Sequence, residues 1–167
     1  MAKLSEKHLL IFLLIASIFA LTFAYISQYV FDYQPCILCL YQRKPFFAII
    51  AFTSLALLFS KPKYLKKIIF FLCLTLLAAN GAIATYHVGV EKKIFRGPTT
   101  CSSADLNKYD NVKDLELAMS QTKAIRCDEP SFFLLGLSMA AWNLIFCFGL
   151  FLFSIFLYRK KSTQPRK

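Results

Sequence analysis

The sequence predicts an all-α membrane protein, a four-helix transmembrane bundle with one long outward loop that carries a short amphipathic helix. Three observations predict it. Apolar residues make up 57% of the 167-residue chain and are gathered into long uncharged runs, not scattered as in a soluble core. The net charge of +11 is concentrated in the two tails and one short connection. Four of the six cysteines fall in or beside the other two connections.

A bilayer's hydrocarbon core takes about 20 apolar residues per helix. Leu9 to Val30 holds no charged residue and is the first span. The uncharged stretch Pro45 to Phe59 is shorter, and reaches spanning length if the helix starts near Cys39 and Arg43 and Lys44 snorkel toward the interface. Ile68 to Val90 carries Asn80, Thr85 and His87 but no formal charge, and Phe132 to Tyr158 is likewise uncharged. The expected layout is one integral membrane domain over 1–167. Its spans are at about 9–30, 43–59, 68–90 and 132–158, with connections at 31–42, 60–67 and 91–131 and tails at 1–8 and 159–167. An N-terminal run flanked by lysine can also be a cleaved signal peptide, but this one outlasts a typical signal core, and its removal would strand the new N-terminus outside.

The basic excess is a topology signal, and it excludes a nucleic-acid surface as the first explanation. Lys3, Lys7, Lys61, Lys63, Lys66, Lys67, Arg159, Lys160, Lys161, Arg166 and Lys167 lie in the tails and the 60–67 connection, opposed by Glu6 alone. The 91–131 connection balances seven basic residues against seven acidic ones. By the positive-inside rule the tails and the 60–67 loop face the cytoplasm, while 31–42 and 91–131 face the other side.

Cys36, Cys39, Cys101 and Cys127 then lie on the outward side, where disulfides persist. Cys73 and Cys147 fall in mid-span, where a thiol serves as a small apolar packing group. Cys36-Ile37-Leu38-Cys39 is a Cys-x-x-Cys between Pro35 and the helix of the second span. The partial positive charge of a helix N-terminus favours a thiolate, the attacking and leaving species in exchange, and Arg43 one turn beyond Cys39 adds to it. A structural bridge would gain nothing from such activation, and a zinc site of four cysteines usually shows two close pairs, which Cys101 and Cys127 do not form. Taken alone, Cys101 and Cys127 could simply staple a loop, worth about 3 kcal/mol by chain entropy. Between them Asn111 to Ser120 reads as a short helix, with Val112, Leu115 and Met119 on one face.

Arg43 and His87 are the ionisable groups nearest the outward ends of the second and third spans. Both could reach one site for a polar-headed lipid such as a quinone. Arg43 could equally be an interface anchor and His87 a packing group. Asn80, Gly81 and Ala82, with Ala78, Ala79 and Ala84, suit close helix contact in lipid. Trp142 and Asn143 belong either to the interface belt or to a pocket wall, and His8 is expected at the surface.

With these residues in view the chain closely resembles the disulfide bond formation protein B family, DsbB, of bacterial inner membranes. The matching segments are Pro35 to Arg43; Tyr86 to Glu91 with Gly97, Pro98 and Cys101; and Cys127 to Pro130 through Leu135 to Met139 to Trp142 and Asn143. The resemblance spans nearly the whole chain. It implies a bacterial inner-membrane enzyme, a protein dithiol:quinone oxidoreductase, whose outward loops are periplasmic. Its redox cysteines would be Cys36, Cys39, Cys101 and Cys127. Cys101 would form the mixed disulfide with a soluble periplasmic DsbA-like thioredoxin-fold oxidase, with Cys127 as its pair. Cys39 would face the quinone, ubiquinone or menaquinone, with Cys36 as its interchange partner and Arg43 and His87 beside the ring. No metal and no nucleic acid is expected.

Two rivals share the same residues. One is a non-catalytic tetraspan scaffold with stapled loops, and the other is a quinone reductase of the vitamin K epoxide reductase type, which usually orders its motifs differently. If the charge pattern sets the topology, a membrane-impermeant thiol reagent applied to reduced membranes from the non-cytoplasmic face will label Cys36 and Cys39; labelling only from the cytoplasmic face would reverse the predicted orientation.

Overall fold

A computed structural model describes residues 5–59, 62–98, 127–128 and 133–162. Four long helices dominate: α1 (Glu6–Tyr29), α2 (Ile37–Phe59), α3 (Lys63–Glu91) and α4 (Met139–Ser162). All four are long and apolar enough to cross a membrane, and no more than a third of each one's most apolar stretch is buried inside the bundle. The rest, including Ile15, Phe19, Leu55, Leu58, Phe148 and Phe156, is exposed apolar surface, the surface that lipid solvates.

The inward positions repeat with the period of a left-handed bundle. Leu10, Leu13, Ser17 and Leu21 line α1; Phe46, Ile49, Thr53 and Ala56 line α2; Phe70, Cys73, Leu77, Asn80, Ala84 and His87 line α3; and Ala140, Cys147 and Ser154 line α4. Small residues recur where helices meet, because in lipid the association gains from close packing and not from hydrophobic transfer. Gly81 stands opposite Cys147, where an added Cβ would sit 4.0 Å from that side chain. Cys73 and Cys147 are buried in this core, as expected of packing thiols. Of the small residues on α3, Asn80, Gly81 and Ala84 turn inward, while Ala78, Ala79 and Ala82 are exposed. The hydroxyl of Thr53 donates to the Ile49 carbonyl one turn back (2.6 Å), which satisfies it without a partner helix.

Helix boundaries differ from the expected spans at two places that shape the site. The second helix begins at Ile37, two residues before Cys39 and ahead of the expected span. Cys36 acts as its cap: its carbonyl accepts from Leu40 N–H (3.1 Å) and its sulfur from Cys39 N–H (3.4 Å). The fourth helix begins at Met139, seven residues after the apolar run starts. Before it, Phe133–Leu134 and Leu137–Ser138 pair as a small antiparallel hairpin. Its two-residue turn, Leu135 and Gly136, has φ of 53° and 79°, the positive values that a tight hairpin requires. Trp142 Nε1 donates to the Leu134 carbonyl (2.9 Å) and ties the hairpin to α4, while Ser138 Oγ accepts from Ala141 N–H (3.2 Å) as the N-cap.

The end of α3 turns back on itself in a Schellman motif. Lys93, at φ 59°, takes the left-handed position usually given to glycine, Ile94 N–H bonds the Gly89 carbonyl (2.8 Å) and Lys93 N–H bonds the Val90 carbonyl (2.9 Å). The chain then lays Phe95 on the helix, stacked on Tyr86 at 5.8 Å, and a Cβ at Gly89 would come within 2.2 Å of the Phe95 ring. The expected helix Asn111 to Ser120 and residue Cys101 lie outside the described residues. Gly89→Ala is expected to destabilise the purified protein by about 1–3 kcal/mol through overpacking, read as a lower thermal midpoint in detergent, and Gly89→Ala with Phe95→Ala should recover part of the loss.

Candidate functional site

The caps and turns just described converge on one end of the bundle. Cys36, at the start of α2, packs with Leu38, with Val90 at the end of α3, and with Cys127, forming a small buried cluster on which Ile37 and Cys39 lie. Cys127 thus meets the Cys-x-x-Cys pair although 88 positions separate it from Cys39. Cys36 and Cys39 are free thiols. Where the structure would bring Cys101 lies outside the described residues.

The Cys36 and Cys39 sulfurs are 3.0 Å apart, longer than a disulfide bond of about 2.05 Å and short enough for the Cys36 S–H to donate to Cys39. That donation, with burial, pushes the Cys36 thiol up to about 12, while its contact with His87 works in the opposite direction. The thiolate stabilisation expected of the helix N-terminus therefore does not extend to Cys36, which sits at the cap and holds its proton. Cys39 lies one turn further on and accepts the hydrogen bond.

His87 enters from α3 and is buried, with Nε2 3.4 Å from Cys36 Sγ and Nδ1 3.3 Å from the Gln42 side-chain amide. One turn along α3, Glu91 Oε1 is 3.8 Å from the same Nε2, and Glu91 Oε2 accepts from Ser138 Oγ (2.5 Å). Ser138 is held from both sides, since its lone pair takes the Ala141 N–H and its proton goes to Glu91. Neither Glu91 nor Ser138 was assigned a part from the sequence. The spacing of His87 and Glu91, four apart on a helix, was a legible signal; the partnership with Ser138 was not, because it spans 47 positions.

Arg43 and His87, expected to share a site, line the same cavity. Arg43 is tied to α1, donating through Nη1 to Gln28 Oε1 (2.6 Å) and through Nη2 to the Ala24 carbonyl (3.4 Å), with its guanidinium carbon 4.9 Å from the Tyr25 ring centre. Among the described residues neither sulfur receives a hydrogen bond from it. The cavity has a volume of about 460 Å³ and runs between α1, α2 and α4, with Cys36, Cys39 and Cys127 in its wall. Its lining is mostly apolar, from Phe19, Leu21, Phe46, Leu134, Met139 and Phe146, with Arg43, Gln42, His87, Glu91 and Asn143 among its polar groups. Trp142 and Asn143 are pocket-wall residues, which settles the choice left open by the sequence. Asn143 Nδ2 is buried and has no hydrogen-bond partner among the described residues.

An apolar slot with a few polar groups fits a planar ring bearing carbonyl oxygens. Cys36, Cys39 and His87 also bring three donor atoms within 4.8 Å of one another. A structural zinc site takes four protein donors, and the redox spacing of this pair favours thiol exchange as its chemistry.

Comparison with known proteins points the same way. Residues 6–157 match the family described as disulfide bond formation protein DsbB. An uncharacterized protein of Rickettsia prowazekii is 31% identical over 159 residues, covering 93% of this chain and 91% of that protein. A disulfide bond formation protein B of Cupriavidus pinatubonensis is 34% identical over 143 residues, covering 82% of this chain and 84% of that one. Because Cys36 is both buried and proton-holding while Cys39 is less covered, iodoacetamide at pH 7–9 should alkylate Cys39 of the reduced protein before Cys36, as mapped by peptide mass; the reverse order would contradict the direction of the Cys36–Cys39 hydrogen bond.

Proposed function

The chain belongs to the DsbB family, a multi-pass membrane protein of disulfide bond formation, and from that footing we propose that it is a thiol:quinone oxidoreductase of the bacterial inner membrane. In this reading it reoxidises a soluble periplasmic DsbA-like dithiol oxidase and delivers the electrons to ubiquinone or menaquinone. Both termini are cytoplasmic, as the charge distribution requires.

The observation that carries the reading is the opening of a reduced Cys-x-x-Cys pair, at the cap of α2, onto an apolar cavity whose few polar groups come from three helices. Quinone, when bound there, supplies a two-electron, two-proton acceptor. Arg43, Gln42 and Asn143 are the residues that would hold its oxygen atoms, Asn143 through its amide nitrogen, which has no other partner among the described residues. The apolar wall would exclude water from the sulfurs.

Cys101 takes the attack of the soluble partner, and Cys127 is its pair. Exchange then reduces Cys36–Cys39, and the packing of Cys127 against Cys36 supports a direct passage between the two pairs. Cys39 is the thiol that faces the ring, and Cys36 closes the disulfide. The direction follows from the partner: a strongly oxidising dithiol can be restored only when a further acceptor removes its electrons.

The test uses full-length protein in detergent with a reduced thioredoxin-fold oxidase and a water-soluble quinone analogue. Catalytic loss of thiols coupled to quinol appearance is expected, and Cys36→Ser or Cys39→Ser should abolish it. Inert bridges, or unchanged turnover in either variant, would refute the assignment in favour of a stapled scaffold.

A further inference from the structure

Closing the Cys36–Cys39 disulfide requires that Cys36 lose a proton that its surroundings hold firmly. Among the described residues the basic nitrogen beside the sulfur is His87 Nε2, at 3.4 Å. For Nε2 to receive the proton, Nδ1 must carry the ring hydrogen and Gln42 must turn its amide oxygen to Nδ1, the 180° amide rotation that exchanges the two ends of that group. Once protonated, the ring is a buried cation. Glu91 is the carboxylate set to meet it, 3.8 Å from the same nitrogen with a side chain only 10% exposed.

The position of Glu91 is not incidental to the bundle. Its other oxygen accepts from Ser138 Oγ, which in turn accepts from Ala141 N–H. Ser138 is in turn fixed as the cap of α4. The carboxylate is thus held by a residue from another helix beside the imidazole nitrogen that meets Cys36, where it can stabilise the ring once that nitrogen is protonated.

We infer that Glu91 is a positioning residue for His87, holding the imidazole as the base that takes the proton of Cys36, with Ser138 fixing the carboxylate. The inference rests on the redox reading of Cys36 and deepens it. In the balanced step two S–H bonds break and the S–S bond forms. The two electrons pass to the quinone and both protons finish on the quinol oxygens, that of Cys36 by way of His87 Nε2. When the pair is reduced again, Cys36 leaves as the thiolate and takes up a proton released by the attacking dithiol, by way of the same nitrogen.

The experiment contains neither quinone nor oxidase, so it fails or succeeds apart from the proposed function. In a full-length Cys39→Ser background, where the serine hydroxyl still accepts from Cys36, the rate of Cys36 alkylation by iodoacetamide is measured at pH 7 by peptide mass. Glu91→Gln is expected to slow it about tenfold, the size of a one-unit change in thiol acidity. His87→Asn should slow it at least as much, and Glu91→Gln added to His87→Asn should change nothing further. Ser138→Ala, which keeps the carboxylate but frees it, should slow the reaction by a smaller factor, and it carries the test alone if Glu91→Gln does not fold. A Glu91→Gln rate within twofold of its parent, a faster rate, or equal slowing in the presence and absence of His87 would overturn the assignment, as would a Ser138→Ala rate equal to its parent.

Discussion

Cys36 at the cap of α2 touches His87 near the end of α3, and the rest of this end of the molecule is arranged around that contact. A membrane protein has little water with which to satisfy polar groups inside the bundle, so each one needs a protein partner. Cys36 donates to Cys39, His87 reaches Gln42 and Glu91, and Glu91 reaches Ser138. The chain of partners runs through α2, α3 and α4 and leaves the imidazole and the carboxylate almost fully buried. Such a network has one good arrangement, which is a way to hold two sulfurs within exchange distance without a permanent bond between them.

The backbone around this network is shaped to permit it. The Schellman turn at Lys93 ends α3 within two residues of Glu91 and returns the chain over Gly89, so that the carboxylate stands at a helix terminus and not in mid-membrane. The hairpin before α4 serves the other side: its turn at Leu135 and Gly136 and its tie to Trp142 deliver Ser138 as a cap facing Glu91. Toward the far end the bundle is packed by aliphatic, small and aromatic side chains, Phe70 stacked on Tyr158 among them, with no comparable polar chain among the described residues. That gives a rigid apolar body beneath a polar rim, the distribution a site needs when its reacting atoms must be held to fractions of an ångström.

Much of this was legible in the amino-acid order. Long uncharged runs could only be spans, because the length of hydrocarbon to be crossed fixes the length of the helix. Cys36 and Cys39 stood out by spacing, Arg43 and His87 by being ionisable at the ends of apolar runs, and all four line one cavity. The start of α4 was hidden, because Phe132 to Met139 carries no charge and hydropathy does not register the positive φ values at Leu135 and Gly136 that bend it into a hairpin. The cap made by Cys36 was missed for a related reason, since a sulfur seldom fills a role usually given to serine, threonine, asparagine or aspartate.

Sequence alone determined the class of the protein and the number of its spans, because these follow from composition and run length. It could not determine which polar residues answer one another across helices. Glu91 and Ser138 are 47 positions apart, Gln42 and His87 are 45, and Arg43 meets Gln28 on a different helix. Those partnerships depend on how four helices rotate and slide against one another. That is set by packing summed over the whole bundle, and it leaves no mark in any short stretch of the chain.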